Sequence, residues 1–576
     1  MRGSAARARG PERDPGPHRA VEQLRLRGHQ RVSRAARVGP VTHAPPDAAL
    51  PHGRRLAEVL LVSAAGGFLW WLAVRFAPLG PLLGAAYVLL VTPAFLRRWR
   101  APLLGFYPGI LAALIVAHAP LAKWGWHVAL LLPPMLTWHY VAAALLVAGL
   151  RRTTALPAWL AIPLGLGAAE WLRPLIGLGN FNMYAIGSFL APWPLLAQAA
   201  DLVGVPGLSV LWAVPFAAGV DLVRVKLGEA GATEARRAVV AAALVVAGLV
   251  GYGALRLTTV TWDEGPRIAV IQPSEDHSPE LTEKVVRVQQ QITLEAVQPG
   301  SADLIVWPEN AILDFFEQNR VYQDTVRWIA SSRGAPLLFG TMGIAPDGRR
   351  TTNMTLLVGP DGTVLGRYDK VVLFPFTERR AFAGLARAWP AFGRLLDDVV
   401  RAAWGRAPDG WSPDDITLLE LPPSDPEAQP VRFWTPVCYE SCYPSLGRRA
   451  GRRGARFFVN LTSEGWLGWA ASNNQMFVNM MRAVENRVGL VRAGNTGPSA
   501  FVRPDGRVDA WLRGSRTGRL RMEPGALTHR VALGSGRPTL YARFGDALDP
   551  LPLAIVIVAI AGGWWSARRR RKAPSR

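Results

Sequence analysis

The 576-residue sequence predicts a polytopic α-helical membrane bundle of eight spans joined to an outer α/β domain. Three observations carry this. Half of the residues are hydrophobic although the formal net charge is +23. Long, nearly uncharged apolar blocks fill residues 56–257 and are separated by arginine-rich loops. From 258 to 548, short apolar runs alternate with helical periods, the pattern of a layered α/β domain. A nucleic-acid binder of this charge would not carry such apolar blocks. The 22 tryptophans suit a protein with much surface at lipid headgroup level.

Residues 1–55 are rich in Arg, Pro, Gly and Ala without an apolar period, and read as a disordered basic cytoplasmic tail. Seven spans follow at about 56–77, 79–96, 101–118, 126–150, 155–178, 203–223 and 237–257, with an eighth over 549–567. At 1.5 Å per residue each is long enough, or nearly so, to cross a core of about 30 Å. The loops supply an independent check. Arg97, Arg98 and Arg100, then Arg151 and Arg152, then Arg224, Lys226, Arg236 and Arg237, and finally the basic tail 568–576 all fall after even-numbered spans. Residues 174–223 contain no Lys or Arg. The positive-inside rule therefore puts both termini in the cytoplasm and residues 258–548 outside.

Within the membrane part, Glu170 and Arg173 are spaced as an i, i+3 pair and are either a mutually satisfied ion pair or a functional site. The segment 174–202, with Trp193, Gln198 and Asp201, is too apolar for a free loop and is expected in the outer interface. His127 and His139 have no partner at metal spacing and read as structural. In the outer part, apolar runs at 267–271, 303–307, 335–341, 354–358, 431–437 and 456–461 predict buried strands. Helical periods fall at about 281–297, 320–332 and 473–487, and GPDG at 359–362 and RPDG at 503–506 mark turns.

Three polar residues punctuate these strands: Glu309 closes DLIVWPEN, Lys370 lies in GRYDKVVLFPFTE, and Cys438 closes VRFWTPVCYE. Singly each has an ordinary reading, as a cap, a surface lysine and a small buried apolar residue. Jointly they specify nucleophilic catalysis. A thiol is mostly protonated at neutral pH and needs a base or a cation to become a thiolate. Glu309 suits the base, Lys370 suits a cation that stabilises thiolate and oxyanion, and the Tyr439 N–H suits a second oxyanion donor. The chain has two cysteines, which excludes a disulfide framework and a four-thiolate zinc site. Cys442 reads as a packing residue, or as a partner that inactivates Cys438 by oxidation. The sequence calls for no cofactor, metal or nucleic acid, and the chain is expected to be a monomer.

The order Glu, Lys, Cys with these flanks resembles the nitrilase (carbon–nitrogen hydrolase) superfamily. With seven spans before and one after, the chain is similar to the apolipoprotein N-acyltransferase family over about 56–566. WPEN (307–310), YDK with Glu378 eight residues on, CYE (438–440), RAVENR and NTG (482–497), LYARFGD (540–546), EWLR (170–173) and LAQAADLVGVPGLS (196–209) carry the resemblance. It implies an α-β-β-α sandwich on the outer face of the bundle. It also implies Cys438 as nucleophile, Glu309 as general base, Lys370 as oxyanion cation, and Glu378 and Glu440 as supporting acids. The implied reaction is ping-pong transfer of an acyl chain from a phospholipid, through a thioester, to the diacylglyceryl-cysteine of a lipoprotein. The chain departs from the family's usual sequence at 180–186, 371–378 and 463–468, leaving the three central residues in place.

Between Lys370 and Cys438, Phe392, Leu395, Leu396, Val399, Val400 and Ala403 recur on one helical face, with Trp389, Trp404 and Trp411 nearby. This face either packs on the sandwich or is an amphipathic arm that dips into the outer leaflet. Three functional classes fit parts of the sequence: the acyltransferase, a membrane-anchored amidase acting on a small C–N substrate, and a transporter or sensor with an inactive outer domain. The intact Glu309, Lys370 and Cys438 argue against the third, and the number of spans against the second.

Overall fold

A computed structural model describes residues 52–96, 102–124, 133–134, 136–173, 183–275, 279–375, 377–380, 382–404, 408–423, 427–463, 465, 468–514, 517–520 and 522–572. Outside them lie residues 1–51 of the expected tail, Arg97, Arg98, Arg100, His127, and parts of the divergent segments 180–186, 371–378 and 463–468.

Among the described residues the longer helices of the first part are α1 His52–Arg75, α2 Leu82–Phe95, α3 Pro102–His118, α4 Trp138–Thr153, α5 Ala158–Leu172, α6 Ala200–Lys226 and α7 Ala232–Thr259. Among the described residues, α1, α6, α7 and the stretch Leu540–Arg569 are long and apolar enough to cross a membrane. Leu82–Phe95, Tyr107–Ala122 and Ala158–Leu172 are apolar but shorter than the expected spans. α2 ends at Phe95, two residues after Pro93, and α5 begins immediately after Pro157, so proline limits or punctuates both. α4 covers only the second half of the expected fourth span, whose first half lies largely outside the described residues.

The outer domain runs β1 Asp263–Gln272, α8 Thr282–Ala296, β2 Leu304–Val306, β3 Ile312–Phe315, α9 Arg320–Arg333, β4 Leu337–Ile344, β5 Thr351–Val358 and β6 Val364–Asp369. It continues with α10 Pro390–Trp404, β7 Leu419–Leu421, β8 Val431–Trp434, a 3-10 turn Cys438–Cys442, α11 Pro444–Arg452, β9 Phe457–Thr462 and α12 Trp469–Asn486. Strands β10 Gly489–Gly494, β11 Ala500–Val502, β12 Val508–Trp511 and β13 Gly525–Leu533 precede α13 Leu540–Leu548 and α14 Leu551–Lys572. One sheet has the order β13-β1-β2-β4-β5-β6 with β3 beside β4, and the other the order β12-β11-β10-β9-β8-β7. The inner strands β1, β2 and β4, like β8, β9 and β10, pair in parallel, and antiparallel strands flank them. β1 and β13 pack on β10, α8 and α9 cover the first sheet, and α12 covers the second, which gives four layers, α-β-β-α.

The six predicted strands and three predicted helices are all present, with one correction. The run 431–437 forms a strand only to Trp434, because Pro436 has no N–H for the ladder. Pairing resumes as a single bridge between Val437 and Leu461, and the chain then enters the turn.

The helices and the sandwich are directly bonded. Arg487, left-handed at φ 52° after α12, donates to Asp201 at 2.7 Å and to the Gln198 side chain at 2.7 Å. Asp201 also accepts from Arg256 and Tyr252, so one buried carboxylate ties α6, α7 and α12 together. Glu485 accepts from the Val205 N–H at 2.8 Å. Gly204 breaks α6 at φ 67°, and a Cβ there would lie 2.1 Å from the Tyr541 ring of α13. Only glycine allows both the backbone conformation and that approach. Gln198 and Asp201, expected at an outer interface, are thus joint residues.

α10 corrects the reading of the amphipathic segment. Phe392 and Leu396 are half-buried and Val400 is 5% exposed, whereas Trp389, Leu395 and Val399 are 59%, 62% and 39% exposed. The apolar residues therefore divide between a packed edge and an open edge. Asp397 lies on the packed edge, held by Arg380 at 2.9 Å.

Candidate active site

The three central predicted residues each follow a strand. β2 runs into buried Trp307, and Pro308 then turns the chain so that Glu309 reaches back over the sheet. Gly340 of β4 lets this happen, since a Cβ there would lie 2.8 Å from the Glu309 Cα. Lys370 directly follows β6, with its N–H on the Asn353 carbonyl at 2.9 Å. The Lys370 ammonium donates to Glu309 at 3.3 Å and to Glu378 at 2.9 Å. Lys370 is 1% exposed and Glu309 4%, so these charges meet in a poorly screened interior. Burial pushes the Lys370 ammonium pKa down, but Glu378, Glu309 and Cys438 together outweigh it and hold the group protonated, well above the lysine range.

Cys438 occupies the left-handed region at φ 52°, a conformation that costs about 1–3 kcal/mol for a residue with a side chain. Neighbouring groups hold it there. Asn460 donates to the Pro436 carbonyl at 3.0 Å and to the Cys438 carbonyl at 3.4 Å. The Glu440 carboxylate accepts from the Val437 N–H at 2.7 Å and, across the site, from the Val371 and Val372 N–H groups at 2.7 and 3.1 Å. The Tyr368 hydroxyl donates to both of its oxygens at 3.0 and 2.9 Å. Glu440 thereby pins the backbone after Lys370 to the backbone before Cys438. Burial pushes its carboxyl up to about 7, with the Val437, Val371 and Val372 N–H groups and Lys370 opposing the rise.

The structure thus brings Glu309, Lys370 and Glu378 into contact and joins Cys438 to them through Glu440 and β9. Ser463, just beyond β9, donates its N–H to the second Glu309 oxygen at 2.9 Å, while Asn460 of the same strand holds the Cys438 turn. The Lys370 ammonium thus lies between two carboxyl groups, those of Glu309 and Glu378. Tyr439 follows Cys438 in the turn, with its ring buried against Phe374 and Tyr443. Cys442 is buried at the far end of the turn, and neither cysteine forms a disulfide.

Two site residues were not identified from the sequence. Asn353 of β5 donates to Glu309 at 3.0 Å and to Glu378 at 2.7 Å, bridging the two acids. Gln475 of α12 donates to the Cys438 Sγ at 3.8 Å while accepting from Thr462 at 3.1 Å. An Asn within a strand and a Gln within a polar helical turn carry no local mark; the fold alone brings them in. Just before Gln475, α12 meets the helical part: Asn473 donates to the Val74 carbonyl at 3.2 Å, and Asn474 accepts from the Tyr184 N–H at 2.9 Å. Glu170 accepts from the Ile186 N–H at 2.9 Å and forms an ion pair with Arg173 at 3.9 Å at the end of α5. His139 is buried against the Tyr140 ring.

Residues 267–514 match the family model of the carbon-nitrogen hydrolases. An amidase of known structure from Nesterenkonia sp. is 22% identical, with 50% of this chain and 95% of that one aligned at a TM-score of 0.33. An apolipoprotein N-acyltransferase of Geobacter metallireducens is 30% identical over 64% of this chain and 67% of its own length. One from Agrobacterium fabrum is 31% identical over 74% of this chain and 79% of its own length. The two acyltransferase matches are long enough to reach into the helical part as well as the sandwich, and by them the chain belongs to the apolipoprotein N-acyltransferase family.

Proposed function

We propose that this chain N-acylates the diacylglyceryl-cysteine at the N-terminus of lipoproteins, taking the acyl chain from a phospholipid through a thioester on Cys438. The observation that carries the reading is the Glu309–Lys370–Glu378 cluster, with Lys370 and Glu309 buried, locked to the Cys438 turn. In the first half-reaction Glu309 takes the thiol proton as Sγ attacks the acyl ester carbonyl. Lys370 and the Tyr439 N–H stabilise the oxyanion. The intermediate collapses with loss of the glycerol oxygen, which receives the proton from Glu309, leaving a thioester and a lysophospholipid. In the second half-reaction the acceptor amine attacks the thioester, Glu309 takes its proton, and the thiolate leaves and is reprotonated as the amide forms. Glu378 and Glu440 support the cation and the turn.

In this reading eight apolar segments cross the inner membrane, both termini are cytoplasmic, and residues 258–548 act as a monomer on the periplasmic side. The direct bonds between α12 and α6 support a bundle that takes part in substrate binding, because both lipid substrates are confined to the bilayer. Incubation with phospholipid and a diacylglyceryl-cysteine peptide is expected to yield the N-acyl peptide and no ammonia from small amides. Ammonia release from small amides without peptide acylation would establish the amidase instead.

The open edge of α10 is the part of the outer domain suited to enter the outer leaflet. Converting Leu395 and Val399 to Asp is expected to cut acylation from phospholipid vesicles about tenfold or more while sparing a short soluble thioester donor. Equal loss on both donors would show that α10 supports the fold and not lipid entry. Leu396 and Val400 are unsuited to this test because they face the protein.

A further inference from the structure

Behind the nucleophile turn lies a cavity of about 270 Å³ where the end of α5, the break in α6, α12 and the start of α11 meet. Cys442, the last residue of the turn, lines it, together with Trp171, Val478 and Arg482. The acid–base side chains on its wall are Glu170, Arg448, Asp546, Asp549 and Arg482, and among them only Arg482 has buried side-chain nitrogens without a hydrogen-bond partner. Arg448 donates to Asp546 at 2.7 Å, to Asp549 at 2.6 Å and to the Tyr541 hydroxyl at 2.6 Å. Glu170 is paired with Arg173 as described above. Arg482 is 1% exposed and donates through one terminal nitrogen to Glu485 at 3.1 Å. Its Nε and other terminal nitrogen have no hydrogen-bond partner among the described residues.

Buried guanidinium donors without an acceptor are costly, and an anionic oxygen ligand removes that cost. The depth of the cavity narrows the choice. Glu170 and Trp171 lie in the last turn of an apolar helix, the level at which tryptophan and lipid headgroups meet. Val478, Trp171 and Tyr443 provide apolar wall beside the cation. Arg482 follows Gln475 by two helical turns of α12, about 10 Å along the same face. A ligand on Arg482 therefore lies within one lipid headgroup's length of the residue that touches the nucleophile.

We infer that this cavity binds a phosphate diester, the headgroup phosphate of the phospholipid acyl donor, with Arg482 as its anchor; the assignment rests on the acyl-transfer reading above. The full-length protein is presented in mixed micelles with a phospholipid, or with a diacylglycerol of the same chains, and Cys438 acylation is followed by intact mass. The wild type is expected to be acylated roughly tenfold or more faster by the phospholipid, and Arg482→Gln to lose most of that ratio. Inorganic phosphate is expected to raise the thermal midpoint of the wild type and not of Arg482→Gln, which tests the site without any turnover. Equal rates from the two donors in the wild type overturn the inference even if the variant fails to fold. So does an equal loss by Arg482→Gln on both donors, or phosphate stabilisation with no donor preference, which marks a site for free phosphate. No acylation from either donor, with phosphate stabilisation dependent on Arg482, strikes the acyl-transfer reading and leaves the anion site standing.

Discussion

Glu309→Gln is expected to lower the rate of acyl-enzyme formation by about a thousandfold or more, with little change in thermal stability. The glutamine amide keeps the shape and an acceptor for Asn353 or Ser463, and Lys370 retains Glu378 as its counter-ion at 2.9 Å. What is lost is the acceptor for the thiol proton. Stopped or single-turnover acylation measured beside a melting curve separates these effects. A large loss of stability with a proportionate loss of rate would make Glu309 a structural carboxylate.

Lys370→Met is expected to cost both activity and stability. Removing the ammonium leaves buried Glu309 and half-buried Glu378 facing the same Asn353 amide with no cation between them. Breaking a buried pair from one side costs about 3–5 kcal/mol. Acylation is expected to fall by a further factor of about a hundred or more because, in the proposed mechanism, the oxyanion loses its cation. A variant that melts like the wild type would place the Lys370 charge outside the cluster.

The residues that proved legible in the sequence are those whose position is set by local grammar. Glu309, Lys370 and Cys438 each follow a strand, so an apolar run followed by a polar residue marks them. Glu440 and Glu378 were found through the resemblance, and the structure gives both a physical task in holding backbone N–H groups. Asn353 and Gln475 escaped because their partners lie 44 and 37 residues away, and nothing in TTNMT or SNNQM announces a contact of that range. The apolar helices were legible from hydropathy, but their lengths were not, since proline and the close-packed junction with the sandwich trim them. α10 shows the same division. Its period was plain, yet which apolar edge faces inward depends on the Arg380–Asp397 pair, and a buried aspartate is not something an apolar pattern foretells.

The central claim is that Cys438 carries an acyl chain as a thioester. The most direct test is the intact mass of the full-length protein after incubation with a phospholipid of defined chains. The expected result is the addition of one acyl chain, removed by neutral hydroxylamine and absent in Cys438→Ala, with an equimolar lysophospholipid released. An unchanged mass under conditions where the peptide acceptor is nonetheless acylated, or an adduct that persists in Cys438→Ala, would contradict it.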